Sequence, residues 1–174
     1  MAVVQRHPVS TEFDKSGWFN GWPLVYIDGV SYLFVRPGSF ADLKTKEYRF
    51  KLIDPSWDPD KLAFNAEMNP DEYMREVERI DIDKIASTKQ AYAMAVSSLT
   101  IGAVGKAKEY FEISLAQTFP RSRGVAFFYT KVLYSLGEEE RAKEILLSLA
   151  DESVNDEYGM EAVKALKTLY GVNY

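Results

Sequence analysis

At residues 105–111 the chain reads Gly105-Lys-Ala-Lys-Glu-Tyr-Phe111, and at residues 140–146 it reads Glu140-Arg-Ala-Lys-Glu-Ile-Leu146. The two Ala-Lys-Glu segments lie 35 residues apart. The same offset relates three further pairs of positions: Gly102 and Gly137, Phe111 and Leu146, and Ala91 and Ala126. Repetition at a fixed spacing of this length is typical of proteins that stack similar helical units. The C-terminal half is therefore predicted to be a short helical repeat.

Apolar residues recur at helical spacing throughout this half of the chain. Glycines at 102 and 137 and a proline at 120 follow three of these stretches, and both residue types stop helices. If the repeat is structural, Phe111 and Leu146 occupy equivalent buried positions inside helix pairs. The predicted helices cover residues 88–102, 104–118, 123–136, 139–150 and 156–170.

This pattern resembles the tetratricopeptide repeat family, whose unit has about 34 residues. The resemblance rests on Ala95, on the two glycines between helices, and on an alanine with an apolar partner in each second helix. It covers about residues 88–154 and a terminal helix. The consensus tryptophan and Leu-Gly of the first helix are missing, Thr130 replaces the small residue in the second copy, and no proline follows that copy. A helical bundle with a duplicated segment is the alternative.

In the family, the first helix of each pair lines a concave groove that binds other proteins. The resemblance therefore implies a binding surface made of Lys89, Tyr92, Val96 and Leu99 from the first copy and Phe127, Lys131 and Tyr134 from the second. This surface is apolar and aromatic with two cations, and it lacks the asparagine that helps bind a terminal carboxylate. An apolar or helical peptide is the expected ligand. Alternatively, the chain's own N-terminal half covers this face.

The N-terminal half contains the clearest β-signal. Asp28-Gly29 separates two β-prone runs at residues 24–27 and 30–35, and Asp-Gly favours the tight turn of a β-hairpin. An alternating stretch at residues 47–53 predicts a third strand. Residues 1–17 are predicted to be an irregular arm or an edge segment, and residues 54–60, with two prolines, a loop. Asn69 and Pro70 predict a helix over residues 70–79.

The predicted fold class is α+β, with a small antiparallel hairpin or meander packed on the helical array. Residues 1–68 would form the arm and sheet region and residues 69–174 the helical domain, either as one integrated fold or as two packed lobes. Trp18 and Trp22 lie in an aromatic loop before the hairpin. Tryptophans in such a loop either pack under the core or serve as contact residues for a partner.

Composition excludes several kinds of site. The chain has no cysteine and one histidine, His7, so neither a thiolate site nor a histidine-based metal site is expected. Asp54, Asp58 and Asp60 lack the spacing of a calcium loop, and both this group and the pair Asp81 and Asp83 are interpreted as turn and capping residues. No phosphate-binding or nucleophile motif occurs. We therefore expect neither a catalytic site, nor a metal site, nor a cofactor.

The net charge of −5 gives no basic surface for nucleic acid, and no apolar run reaches the length of a membrane-spanning helix. We expect a soluble, cytoplasmic protein that does not insert into membranes. The predicted function is a non-catalytic interaction module, an adaptor or assembly subunit that binds a protein or peptide partner. The alternative is a structural subunit of a larger homomeric or viral-type assembly, in which the N-terminal arm and hairpin join copies of the chain.

Overall fold

A computed structural model describes residues 2–6, 21–27, 31–80, 85, 87–117, 122–152 and 156–172. Within these ranges the protein is mostly helical, with a small antiparallel sheet at the N-terminal end. The strands are β1 (Ala2–Arg6), β2 (Leu24–Ile27) and β3 (Ser31–Val35). The helices are α1 (Phe40–Lys44), α2 (Pro59–Met68), α3 (Pro70–Glu78), α4 (Thr88–Thr100), α5 (Val104–Gln117), α6 (Arg123–Ser135), α7 (Glu139–Glu152) and α8 (Glu157–Tyr170). A short 3-10 helix covers Lys46–Tyr48.

The strands of the sheet have the order β1-β3-β2, and each pair of neighbouring strands is antiparallel. β2 and β3 pair as the predicted hairpin requires, with Ile27 opposite Tyr32 and an irregularity between Leu24 and Tyr26. The turn predicted at Asp28-Gly29 lies outside the described residues. β1 pairs with the other side of β3, so part of the predicted N-terminal arm is an edge strand.

The prediction of a third strand at residues 47–53 is wrong. Apart from the 3-10 turn, this segment makes only one β-bridge, in which the backbone N–H of Phe50 donates to the carbonyl of Leu24 at 2.8 Å. The next three backbone N–H groups donate instead to the carboxylate of Glu76 in α3. The N···O distance is 2.7 Å for Lys51 and 3.0 Å for both Leu52 and Ile53. Because the Glu76 carboxylate accepts from these three N–H groups, they cannot pair with a neighbouring strand, and residues 51–53 form no β-strand.

α2 begins inside the segment that was predicted to be a loop. Asp58 caps this helix by accepting hydrogen bonds from the backbone N–H groups of Asp60 at 3.0 Å and Lys61 at 3.2 Å. Pro59 occupies the first helical position, where its fixed φ and missing N–H suit the start of a helix. Pro59, which was predicted to lie in a loop, therefore starts a helix. The helix predicted at residues 70–79 is confirmed as α3.

All five helices predicted for the C-terminal half are present, with ends that differ by at most two residues. The described parts of residues 104–150 contain no strand. Gly102 and Gly137 both adopt left-handed backbone conformations, with φ of 75° and 77°, in the turns after α4 and α6. In each turn the following N–H bonds back across the helix end, from Ala103 to Ser98 and from Glu138 to Leu133, both at 2.9 Å. The repeated glycines therefore form equivalent helix ends.

Consecutive helices from α4 to α8 pack against one another, and α2 packs on α4. One hydrophobic core extends from the sheet to α7, and a second cluster lies among α6, α7 and α8. Phe111 belongs to the first core and Leu146 to the second, and both are buried as predicted. The predicted boundary at residues 68 and 69 falls between α2 and α3.

Replacing Glu76 with glutamine should destabilise the protein by about 2–4 kcal/mol, because the amide loses the charge and turns an N–H donor toward backbone donors. Urea denaturation would measure the change. Glu72→Gln is the matched control, since this carboxylate lies on the same helix and, among the described residues, pairs with the exposed Lys51 ammonium rather than with backbone N–H groups. Equal losses in the two variants would contradict a special role for Glu76.

Truncating the equivalent core residues should cost about 3–5 kcal/mol for Phe111→Ala and about 2–5 kcal/mol for Leu146→Ala, because each leaves a cavity. The same denaturation experiment tests both variants. Phe40→Ala provides the control, since this ring is 76% exposed in α1. A loss below about 1 kcal/mol at both core positions would show that the repeat does not place them in the core.

Candidate functional site

A groove of about 430 Å³ lies between α6 and α8, with α7 as its floor. Its size is in the range of ligand-binding clefts in proteins. The α6 wall consists of Phe127, Thr130, Lys131, Tyr134 and Ser135. Ala142 and Leu146 form the floor, and the α8 wall consists of Glu161, Lys164, Ala165, Thr168, Leu169 and Tyr170.

The α6 wall follows from helical spacing. Phe127, Lys131 and Tyr134 are four and three residues apart, so they lie along one face of the helix. Phe127 is mostly buried at the base of the groove, whereas Tyr134 is 41% exposed near the C-terminal end of α6. On α8, Leu169 is 45% exposed at the opposite wall. Apolar surface is therefore accessible from solvent on both sides of the groove.

Arg123, the first residue of α6, holds the two walls together. Its Nη2 donates to the backbone carbonyl of Leu149 near the end of α7 at 2.6 Å. Its Nε lies 2.6 Å from the carboxylate of Asp156, which also caps α8 by accepting from the N–H of Gly159 at 2.6 Å. The hydrogen bond from Gly159, together with the Arg123 charge, lowers the pKa of Asp156. One ion pair thus fixes where α8 begins relative to α6.

A close approach of α8 to α6 supports the same end of the groove. The ring of Tyr158 packs over Gly124, where a Cβ atom would lie only 2.8 Å from the tyrosine Oη. Tyr158 also lies beside Phe127, with ring centroids 6.2 Å apart. Glycine at position 124 therefore allows this tyrosine to pack against α6 beside Phe127.

Charged groups lie at the rim. The ammonium of Lys131 sits over the rings of Phe127 and Phe128, 5.0 and 4.9 Å from their centroids, and forms no ion pair within the described residues. Lys164 makes a long, exposed ion pair of 3.6 Å with Glu161, one turn away on the same helix. Such exposed pairs are weak, so both ammonium groups remain available to an incoming carboxylate.

Of the residues predicted to bind a partner, the structure brings Phe127, Lys131 and Tyr134 together in this groove. Tyr92 instead packs between Phe111 and Phe128, at centroid distances of 6.2 and 6.5 Å. Val96 and Leu99 are half-buried against the main core.

The remaining predicted contact residues lie elsewhere. The ammonium of Lys89 donates to the carbonyl of Ser56 at 2.8 Å and so holds the loop before α2. Trp22 is half-buried against the core, and Trp18 lies outside the described residues. A role in partner binding stays a prediction for all of these positions.

Sequence reasoning missed the α8 wall and the ion pair of Arg123 with Asp156. A signal for both was present in the spacing. α4, α6 and α8 begin at residues 88, 123 and 157, so the repeat period continues once more and places α8 in the position of a first helix. The interpretation of residues 156–170 as a terminal helix outside the repeat did not use this regularity.

The aspartates considered for a metal site serve the loop before α2. Asp58 caps α2, whereas Asp54 accepts from the N–H of Ser56 at 2.8 Å and pairs with the ammonium of Lys61. Among the described residues, no three His, Asp or Glu side chains come together as metal ligands would. Asp81, Asp83 and His7 lie outside those residues.

A second concavity of about 350 Å³ lies beside the edge strand β2. Arg79 is one of its lining residues: the guanidinium lies over the ring of Phe50, 4.1 Å from the centroid, and donates to the carbonyls of Tyr48 and Val25. Because Arg79 satisfies backbone groups at this sheet edge, the feature is interpreted as structural. The groove between α6 and α8 is therefore the candidate functional site.

None of the described helices has the length and apolar character needed to cross a membrane. The chain matches no protein-family model, and searches of curated proteins and of solved structures also found no match. The geometry of the groove is therefore the basis for proposing a function.

The lowered pKa of Asp156 predicts how acid acts on this end of the groove. A carboxylate whose pKa is lower in the folded state stabilises the protein above its unfolded pKa, which is about 4 for aspartate. That contribution is lost as the pH falls through the lowered pKa. We expect Asp156→Asn to lower the Tm at neutral pH and to differ less and less from the parent protein as the pH falls below about 4.

Asparagine still caps helices well, so this variant tests the charge rather than the cap. Thermal melts across a pH series would measure the effect. Glu157→Gln is the matched control, because this neighbouring carboxylate is exposed. A difference in Tm between Asp156→Asn and the parent protein that does not change with pH would contradict the ion-pair explanation.

Proposed function

We propose that this protein is a non-catalytic interaction module that binds an apolar helical segment of a protein partner in the groove between α6 and α8. The observation that carries the proposal is the pairing of an apolar floor with exposed Tyr134 and Leu169 on opposite walls. Contiguous apolar surface at a concave site is costly to leave in water and is typical of binding sites. Rigid helices on both sides give such a site a defined shape.

The helical organisation supports the same proposal. The pairs α4–α5 and α6–α7 repeat with equivalent glycine turns, and α8 begins where the next first helix is expected. We propose that this array is tetratricopeptide-like. In that family the first helices of successive pairs form the binding surface, and α6 and α8 hold this position here.

The spacing along the walls indicates what shape of ligand fits. From Phe127 to Tyr134 is seven residues, or about 10.5 Å along a helix at 1.5 Å per residue. A bound helix presents side chains over the same length at positions i, i+3 or i+4, and i+7. Lys131 and Lys164 flank the apolar surface, so acidic residues beside the apolar stripe of the ligand would add favourable contacts. The proposed ligand is therefore an amphipathic helix with acidic flanks.

A structural subunit of a homomeric assembly remains the second candidate. Exposed apolar side chains away from the groove favour it: Phe40 and Leu43 on α1, and Phe64 and Met68 on α2. Surfaces of this kind often contact other chains. The predicted cytoplasmic location belongs to both candidates.

Tyr134→Ala tests the groove directly. We expect the variant to weaken binding of a groove ligand by about 1–3 kcal/mol, because an exposed tyrosine supplies contact area at low conformational cost. The ligands would be peptides selected by display against the parent protein, and calorimetry would measure their affinities. We expect the selected peptides to share apolar residues at i, i+3 or i+4, and i+7.

The control is Tyr48→Ala, which removes an exposed tyrosine at the sheet edge, away from the groove. Thermal melts of both variants would separate binding from folding. If Tyr134→Ala destabilised the protein but left peptide affinity unchanged, the groove would be part of the fold rather than a binding site. Selection of peptides without the apolar helical pattern would also contradict the proposal.

A further inference from the structure

The outer face of α2 has the acidic flanks of the ligand proposed for the groove and two of its apolar positions, i and i+4. Leu62 and Ala66 on its inner face are completely buried, whereas Phe64 and Met68 on the opposite face are 61% and 63% exposed. These two residues are four positions apart, so they form one apolar stripe along the helix. We call the surface formed by Asp60, Phe64, Glu67 and Met68 the acidic helix face.

We propose that the groove between α6 and α8 binds the acidic helix face of a second copy of this chain. The inference rests on the proposed function, because it requires that the groove accepts an amphipathic helix. It goes further by naming the ligand. The contact joins two different surfaces, one from each chain.

Charge and shape agree with this assignment. The apolar pair of α2 spans four residues, about 6 Å of helix, and fits within the apolar length between Phe127 and Tyr134. Asp60 precedes Phe64 by one turn, and Glu67 lies next to Met68, so carboxylates flank the stripe. The groove offers the ammonium groups of Lys131 and Lys164 at its rim. Opposite charges of this kind orient two surfaces and increase their rate of association.

The neighbouring charges on α2 and at the groove do not oppose this arrangement. Lys61, the cation on α2, is paired with Asp54 of its own chain. Glu161, the carboxylate in the groove lining, lies 3.6 Å from the Lys164 ammonium and offsets part of its charge, so the attraction for an acidic ligand comes mainly from Lys131. At the rim of the α6 wall the Lys131 ammonium forms no ion pair with any described residue, and a carboxylate of α2 would neutralise it.

The two surfaces remain exposed in the single chain. α2 packs on α4 at one end of the array, and the groove is formed by α6, α7 and α8 at the other end. Each chain therefore carries one free donor surface and one free acceptor surface. A contact between unlike surfaces is head-to-tail, and its repetition produces a ring if the rotation closes and a filament if it does not.

Two variants each remove one of the two surfaces. Phe64→Ser disrupts the acidic helix face and leaves the groove intact, whereas Lys131→Glu reverses the charge of the groove and leaves α2 intact. Both side chains are exposed, so the fold should tolerate both changes, and circular dichroism would verify this. Tyr48→Ser is the control for loss of an exposed aromatic residue outside both surfaces.

Sedimentation velocity over a wide concentration range provides the test. We expect the parent chain and Tyr48→Ser to form species larger than a dimer as the concentration rises. Each of the two surface variants should lose association by about tenfold or more, as expected for loss of a central contact. An equimolar mixture of the two variants should form dimers and nothing larger, because each such pair retains one intact donor and one intact acceptor.

Three results would overturn the inference. The parent chain could remain monomeric at every concentration, the surface variants could associate as the parent does, or their mixture could fail to form dimers. The peptide experiment distinguishes these failures from failure of the proposed function. A monomeric chain whose groove still binds amphipathic peptides in a Tyr134-dependent way would refute self-association alone, whereas loss of both behaviours would refute both proposals.

Discussion

The carboxylate of Glu76 connects the two parts of this fold. It is only 4% exposed and accepts hydrogen bonds from three consecutive backbone N–H groups, those of residues 51–53. A buried carboxylate without such donors would be strongly unfavourable, and leaving the buried N–H group of Ile53 and the two partly buried N–H groups before it without an acceptor would also be costly. Because each side satisfies the other, the segment after the sheet is fixed on α3. The sheet and the helices then share one continuous core.

The hydrogen bonds to Glu76 also explain why the third strand could not be predicted correctly from the sequence. The alternation around Phe50 has the pattern of a strand, and Phe50 is indeed buried, whereas Tyr48 is exposed. The hydrogen bonds that decide the structure of this segment go to the carboxylate of a residue about 25 positions away. The pairing of β1 with β3 is similarly non-local. The five C-terminal helices were predictable because their signals are local: a helical period, and glycines that end α4 and α6 with the same geometry.

In the candidate site, too, the parts that depend on local sequence signals were predicted and the parts that depend on long-range contacts were not. The α6 wall was predicted, since Phe127, Lys131 and Tyr134 follow from helical spacing and the family resemblance. The α8 wall depends on the pairing of Arg123 with Asp156 and on Tyr158 packing over Gly124. Both contacts join residues more than thirty positions apart, and their partners are not apparent from local pattern. Local sequence patterns therefore predicted the α6 wall of the groove, whereas the α8 wall depends on long-range contacts that such patterns do not reveal.

The position of Trp57 has a consequence for experiments on folding. Its indole is buried and donates to the hydroxyl of Tyr32 at 2.7 Å, at the junction of the sheet with the helices. The other two tryptophans of the chain are residues 18 and 22, so the cluster of α6, α7 and α8 contains none. Intrinsic fluorescence therefore reports on the N-terminal part of the molecule, whereas far-ultraviolet circular dichroism is dominated by the helices. Two such probes coincide only when a protein unfolds in a single cooperative step. Comparing unfolding curves from tryptophan fluorescence and from circular dichroism would therefore show whether the two apolar clusters of this chain unfold together, without any added label.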